Sequence, residues 1–242
     1  MKNLFAFAVH CYTACGAVIA LLVAQEIIQR QPSPTLIFIL FAIAIGIDAT
    51  DGPLARKFDV KTFAPAIDGR RLDDIIDYLN YTFLPLLLLW RMGWVTSPAL
   101  LWLAPALVAS ALGFSNINAK FEDEGFFLGF PSYWNVAAWY AAVLSHYFSP
   151  VAGAILVLAL AALTLAPIRF VYPNRAPQPE KSRLIIGAVL WGAILLWSLR
   201  WFPAVPEWLF ALSLLYPVYY CAASYRLARL TFAKNSEQLR VD

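Results

Sequence analysis

Asp48 and Asp51 stand three residues apart, and Asp73 and Asp77 stand four apart, in a chain otherwise poor in charge. On a helix either spacing returns the side chain to the same face one turn later, so each pair can grip one cation. Ligation by carboxylates alone selects hard, oxygen-seeking ions such as Mg²⁺ or Mn²⁺ over zinc or copper, which prefer imidazole and thiolate. Gly52 lets a backbone or a substrate come close beside the second carboxylate. Arg56, one turn later, adds a planar cation suited to phosphate oxygens. A hard divalent ion beside such an arginine fits a substrate that carries a diphosphate.

The elements that must position these groups are membrane helices. Of 242 residues, 61% are hydrophobic and only 14% charged, and the mean hydropathy is +0.66, well above what a soluble domain needs. Apolar runs able to cross a hydrocarbon core of about 30 Å fall at 4–28, 34–56, 70–92, 97–119, 132–148, 150–169, 183–201 and 206–230. The expected fold class is therefore all-α, a polytopic bundle of about eight transmembrane helices, with residues 1–242 as a single integral membrane domain. An Asp at the centre of a membrane helix costs about 2.5–3.5 kcal/mol on insertion scales, so several together call for a neutralising cation or a water-filled site.

The basic residues orient this bundle, because cytoplasmic loops collect Lys and Arg. With the N-terminus inside, only Arg30, Arg91 and Arg200 of the 18 basic residues fall on the outer side. Both termini and both aspartate pairs are then expected at the cytoplasmic face. Lys2 before an apolar stretch resembles a signal peptide, yet the run continues through Gln25-Glu26 without a small-residue cleavage pattern, so it reads as a retained span. The net charge of +3 is spread among loops and carries no nucleic-acid signal. Cys11, Cys15 and Cys221 fall inside spans, match no zinc or disulfide spacing, and read as small apolar fillers. His10 and His146 have no partner at helical spacing; His10 lies in the polar stretch His10-Cys11-Tyr12-Thr13 and is expected to satisfy a neighbouring helix.

Taken together, Asp48-x-x-Asp51-Gly52-x-x-Ala55-Arg56 followed by Gly69-x-x-x-Asp73-x-x-x-Asp77 resembles the signature of the CDP-alcohol phosphotransferase family. The stretch Lys57 to Asp68 is longer than in most members. That longer loop, Arg71-Leu-Asp-Asp-Ile-Ile-Asp-Tyr78, Gly129-Phe-Pro-Ser-Tyr-Trp-Asn135 and Arg169-Phe-Val-Tyr-Pro-Asn-Arg175 are similar to the bacterial phosphatidylcholine synthase branch of that family. The resemblance implies an inner-membrane enzyme that condenses CDP-diacylglycerol with choline, releasing CMP and phosphatidylcholine, and a homodimer. It implies Asp48, Asp51 and Asp73 as metal ligands, with Asp77 completing the site and serving as the general base. Gly52, Ala55, Arg56 and Gly69 would line the CDP pocket. The expected cofactor is Mn²⁺ (or Mg²⁺), as two ions.

Choline carries a permanent cation without a donor on its nitrogen, so aromatic faces are its expected partners. Tyr78, Tyr81, Tyr133 and Trp134 adjoin the motif segments and are the candidates. Arg169, Arg175, Lys181 and Arg183 form the densest basic cluster outside the motif; Arg169 and Arg175 are assigned to the phosphates of CDP-diacylglycerol, the other two to topology. Asp68 and the run Glu122-Asp123-Glu124 read as solvated loop carboxylates. Two alternatives share the aspartates: a transferase of the same family with another acceptor such as serine, and a divalent-cation transporter. The transporter leaves Gly52, Ala55, Arg56 and Gly69 unexplained.

Overall fold

Buried positions along the first apolar run recur every three or four residues, at Ala6, Val9, His10, Thr13, Gly16, Ala20, Val23 and Ile27. This is the stripe of a helix with one packed face, and in the computed structural model it forms α1 (Lys2–Ile27). The structure describes residues 1–116, 120–121 and 125–238; Glu122-Asp123-Glu124 lies outside the described residues. Ser33 caps the next helix, its side chain accepting from the Leu36 amide, and Pro34 occupies the first turn, where a missing N–H is harmless. That helix, α2 (Pro34–Lys57), lies against α1 and carries Asp48 and Asp51 in its last turns.

A short turn, α3 (Val60–Phe63), then leads to α4 (Gly69–Asp77). Asp68 is more than a solvated loop residue: its carboxylate accepts from the amides of Arg70 and Arg71 and starts α4. The helix continues through a π turn, Tyr78–Phe83, into α5 (Leu84–Met92), which Gly93 ends in the left-handed region at φ 66°. There follow α6 (Ala99–Ser115), α7 (Trp134–Tyr147), α8 (Pro150–Leu165), α9 (Glu180–Ser198) and α10 (Glu207–Gln238).

The fold is mostly helical, and the expected apolar runs correspond in position to these helices. Three of them, α1, α2 and α9, with 26, 24 and 19 residues, are long and apolar enough to cross a membrane. Among the described residues, length and composition support three spans directly; the π turn interrupts the run from Gly69 to Met92, and α6, α7 and α8 have 17, 14 and 16 residues. The outward faces of α6 and α8 remain apolar: Leu100, Leu101, Val108 and Ile155 are all exposed. The cysteines share this outward placement and are free.

One departure from an all-α reading is a small antiparallel sheet, ordered β1 (Lys120–Phe121), β2 (Phe126–Leu128) and β3 (Arg169–Val171). Phe126 pairs with Val171 and Leu128 with Arg169. Phe126, Phe127, Phe170 and Val171, aromatic or β-branched, favour the pleated state. Two groups on α10 seat the sheet: Ser224 Oγ accepts from the Val171 amide at 3.2 Å, and Tyr220 Oη donates to the Val171 carbonyl at 3.0 Å.

The main core joins α1, α2, α5, α6, α7 and α8 around Val23, Phe41, Leu88, Trp134, Ala142 and Val157. Two smaller clusters flank it. One, with Ala6, Val9 and Val60, seals α1 against α3; the other, with Phe126, Val171, Leu184 and Leu227, seals the sheet against α9 and α10.

Candidate active site

The site forms where α1, α2 and α4 meet, and two glycines govern how closely they approach. A Cβ added at Gly16 would lie 2.3 Å from Ile76 Cγ2, so α1 can seat α4 only because position 16 has no side chain. A Cβ at Gly69 would come 3.1 Å from His10 Cε1. Gly69 thus has a reason in helix packing, and His10 is buried at that contact with its Nε2 lacking a hydrogen-bond partner among the described residues. Asn80 reinforces the junction, its Nδ2 donating to the carbonyls of Gly16 and Ile76 at 3.1 Å each.

With the helices so placed, carboxylate oxygens of Asp48, Asp73 and Asp77 lie within 4.8 Å of one another. All three residues are half-buried. Two helices supply them, so the group depends on tertiary packing and not on one helix face. Asp51 stands beside the group at 8% exposure, its Oδ2 accepting from Thr13 Oγ1 at 2.8 Å. Thr13, Ala44, Ile47, Ile76, Asn80 and Tyr81 complete the lining of the small cavity that holds the four aspartates. Oxygen donors converging at this separation match the chemistry of a hard divalent ion, whose ligand oxygens surround it at about 2.0–2.6 Å.

The other expected residues divide by location. Gly52 and Arg56 lie just beyond the aspartates on α2, and the guanidinium folds back so that a Cβ at position 52 would stand 3.6 Å from it. Arg56 is exposed, at the mouth of the site. Ala55 instead packs with the Ala6, Val9 and Val60 cluster, where a small side chain keeps α2 close to α1. Arg169 and Arg175 belong to the sheet and the turn after it; Arg175 is exposed, its guanidinium 6.0 Å from the centroid of the Tyr172 ring.

Of the four aromatic candidates, two are drawn elsewhere. Tyr78 Oη donates to the Leu107 carbonyl at 3.3 Å and its ring meets Phe114 edge-on, so it serves the contact with α6. Trp134 is fully buried in the main core and donates its indole N–H to Ser110 Oγ at 2.7 Å. Tyr81 and Tyr133 remain at the site. Their rings meet edge to face with centroids 5.8 Å apart; Tyr81 is buried and donates to Asp48 Oδ2 at 2.9 Å, while Tyr133 is 48% exposed.

Sequence reasoning missed Thr13, Asn80 and Gly16, although the polar stretch in α1 was a signal for the first. It also missed Glu180, which opens α9 at 8% exposure and binds Arg183 Nη1 at 3.0 Å and Arg226 Nη2 of α10. A glutamate beside Lys181 and Arg183 reads as a surface charge until α10 is folded against it.

Comparison with known proteins adds to this geometry. The chain is 39% identical over 176 residues to a phosphatidylcholine synthase of Pseudomonas aeruginosa, covering 72% of this chain and 71% of the relative. It is 36% identical over 196 residues to that of Bradyrhizobium diazoefficiens, covering 80% and 71%. With the enzyme of Rhizobium meliloti the figure is 33% over 204 residues, covering 84% and 82%. No family model matches the chain.

Proposed function

This chain belongs to the family of the phosphatidylcholine synthases and is a phosphatidyltransferase, and from that premise we propose that it condenses CDP-diacylglycerol with choline to give phosphatidylcholine and CMP. The observation that carries the proposal is the convergence of Asp48, Asp73 and Asp77 from two helices within 4.8 Å, in a chain related to these enzymes over most of its length.

Asp48, Asp51, Asp73 and Asp77 would hold Mn²⁺ or Mg²⁺, as two ions, with Asp51 at the buried edge. Such ions, when bound, offset the charge of the diphosphate and of the leaving CMP. Arg56, exposed beside Gly52, meets phosphate oxygens at the mouth of the site, and Arg169 and Arg175 offer further cations from the sheet. Asp77 accepts the proton of the choline hydroxyl. The hydroxyl oxygen forms a bond to the phosphorus that bears diacylglycerol, and the bond from that phosphorus to the CMP oxygen breaks. The exposed ring of Tyr133 faces the quaternary ammonium.

The membrane placement follows the same reading. All eight long helical stretches cross the bilayer of the bacterial inner membrane, and both termini and the site face the cytoplasm, where choline enters and CMP leaves. Arg91 Nη2 donates to the Gln29 carbonyl at 2.8 Å, which places on one side the two segments this reading assigns to the outer face. The active form is a homodimer.

Purified protein in detergent with Mn²⁺ and CDP-diacylglycerol tests the reaction, with choline, serine, glycerol phosphate and inositol offered separately. Choline-dependent CMP release that EDTA abolishes, with phosphatidylcholine as product, is the expected result. Release with serine alone would keep the chemistry and change the acceptor; no release with any acceptor would overturn the proposal.

A further inference from the structure

Each α2 carboxylate of the site is held by a neutral hydroxyl from a different helix. Tyr81 Oη donates to Asp48 Oδ2 at 2.9 Å and Thr13 Oγ1 donates to Asp51 Oδ2 at 2.8 Å. Both donors are buried, at 4% and 8% exposure, so neither bond competes with bulk water. The Thr13 hydroxyl also stands 3.4 Å from the Val9 carbonyl, but its single proton serves the much shorter contact with Asp51. Tyr81 sits within the π turn that follows Asp77. Such a turn is wider than an α turn and re-phases the side chains that follow it, which is why π turns recur at functional sites. The Tyr81 ring also meets that of Tyr133 edge to face, with centroids 5.8 Å apart.

We propose that Tyr81 and Thr13 are positioning residues which lock the rotamers of Asp48 and Asp51 for divalent-ion binding, and that Tyr81 acts on the ion's affinity rather than on choline. The inference rests on the metal reading of the site given above. A hydroxyl donating to one carboxylate oxygen settles the direction of the other and leaves the negative charge in place. Loss of such a partner behind a ligand typically weakens metal binding about 10- to 100-fold. The tyrosine hydroxyl is already committed to Asp48 and its ring is almost wholly buried, so little aromatic face is left for a quaternary ammonium. Tyr133, far more exposed, supplies that face.

The test is Mn²⁺ binding to purified protein without substrates, followed by the electron paramagnetic resonance of free Mn²⁺, alongside choline KM at saturating Mn²⁺. Tyr81→Phe removes one oxygen and keeps the ring; it is expected to weaken Mn²⁺ binding about 10-fold or more and to leave choline KM within about twofold. Thr13→Val should weaken binding likewise, while Thr13→Ser, which keeps the hydroxyl, should restore it. Tyr133→Leu should raise choline KM and leave Mn²⁺ affinity unchanged. Wild-type affinity in Tyr81→Phe, or a raised choline KM at unchanged affinity, overturns the positioning role while the metal reading stands. Absence of Mn²⁺ binding by the wild-type protein overturns the metal reading itself.

Discussion

Asp48 and Asp51 at the α1–α2–α4 junction and Glu180 at the start of α9 accept from different kinds of donor. Asp48 and Asp51 accept hydrogen bonds from the hydroxyls of Tyr81 and Thr13, whereas Glu180 accepts from the guanidiniums of Arg183 and Arg226. A hydroxyl orients a carboxylate and keeps its charge; a guanidinium orients it and cancels its charge. The first arrangement suits a carboxylate that is to meet a cation arriving later. The second closes the account locally and ties α9 to α10 beneath the small sheet. On the proposed reading the first region serves ligand chemistry, whereas the second holds helices together.

The comparison breaks most visibly when charge is changed in the first region. Removal of divalent ions with EDTA should abolish choline-dependent CMP release, and added Mn²⁺ should restore it, with no change in the helical signal of the protein by circular dichroism. Asp77→Asn keeps the shape of the side chain and removes the base, and should lower turnover about 100- to 10,000-fold while CDP-diacylglycerol still binds. A transporter would show no CMP in either protein.

Three smaller effects sharpen the contrast. Tyr133→Leu should raise choline KM about 2- to 30-fold, the range that a cation over an aromatic face supplies at about 0.5–2 kcal/mol, and should leave the affinity for CDP-diacylglycerol unchanged. Gly16→Ala pushes a methyl into Ile76, whose branched side chain yields little; it should cost about 1–3 kcal/mol of stability, read as a lower melting temperature in detergent, and reduce turnover because α4 carries Asp73 and Asp77. Glu180→Gln should have the smallest effect on catalysis. The two guanidinium side chains it binds are 61% and 56% exposed, so about 1–2 kcal/mol of stability is expected to be lost with turnover changed less than about twofold.

The same contrast explains what the sequence disclosed. The convergence of Asp48, Asp73 and Asp77 could be anticipated from the sequence, because helical spacing and carboxylate chemistry are local properties. The apolar runs located the helices, because a membrane span needs only length and hydropathy. Partners contributed by distant segments could not be read in this way. Thr13 lies 38 residues from Asp51 and the Tyr81 hydroxyl 33 from Asp48, and no spacing rule links such positions. The π turn at Tyr78–Phe83 has no simple sequence mark either, and without it the division of labour between Tyr81 and Tyr133 is not evident. Trp134 shows the converse: proximity to a motif suggested a ligand role, while packing between helices places it in the core, which its sequence position did not disclose. The sheet escaped notice because its strands are only two or three residues long and β2 pairs with β3 across the whole of α7 and α8.

One measurement addresses the central claim, that the aspartate junction carries transfer to choline. Labelled choline is supplied with CDP-diacylglycerol and Mn²⁺ to the purified wild-type protein, Asp77→Asn and Glu180→Gln, and label entering the lipid phase is followed with time. The account predicts rapid incorporation by wild type and Glu180→Gln and almost none by Asp77→Asn. Incorporation by Asp77→Asn at the wild-type rate would contradict it.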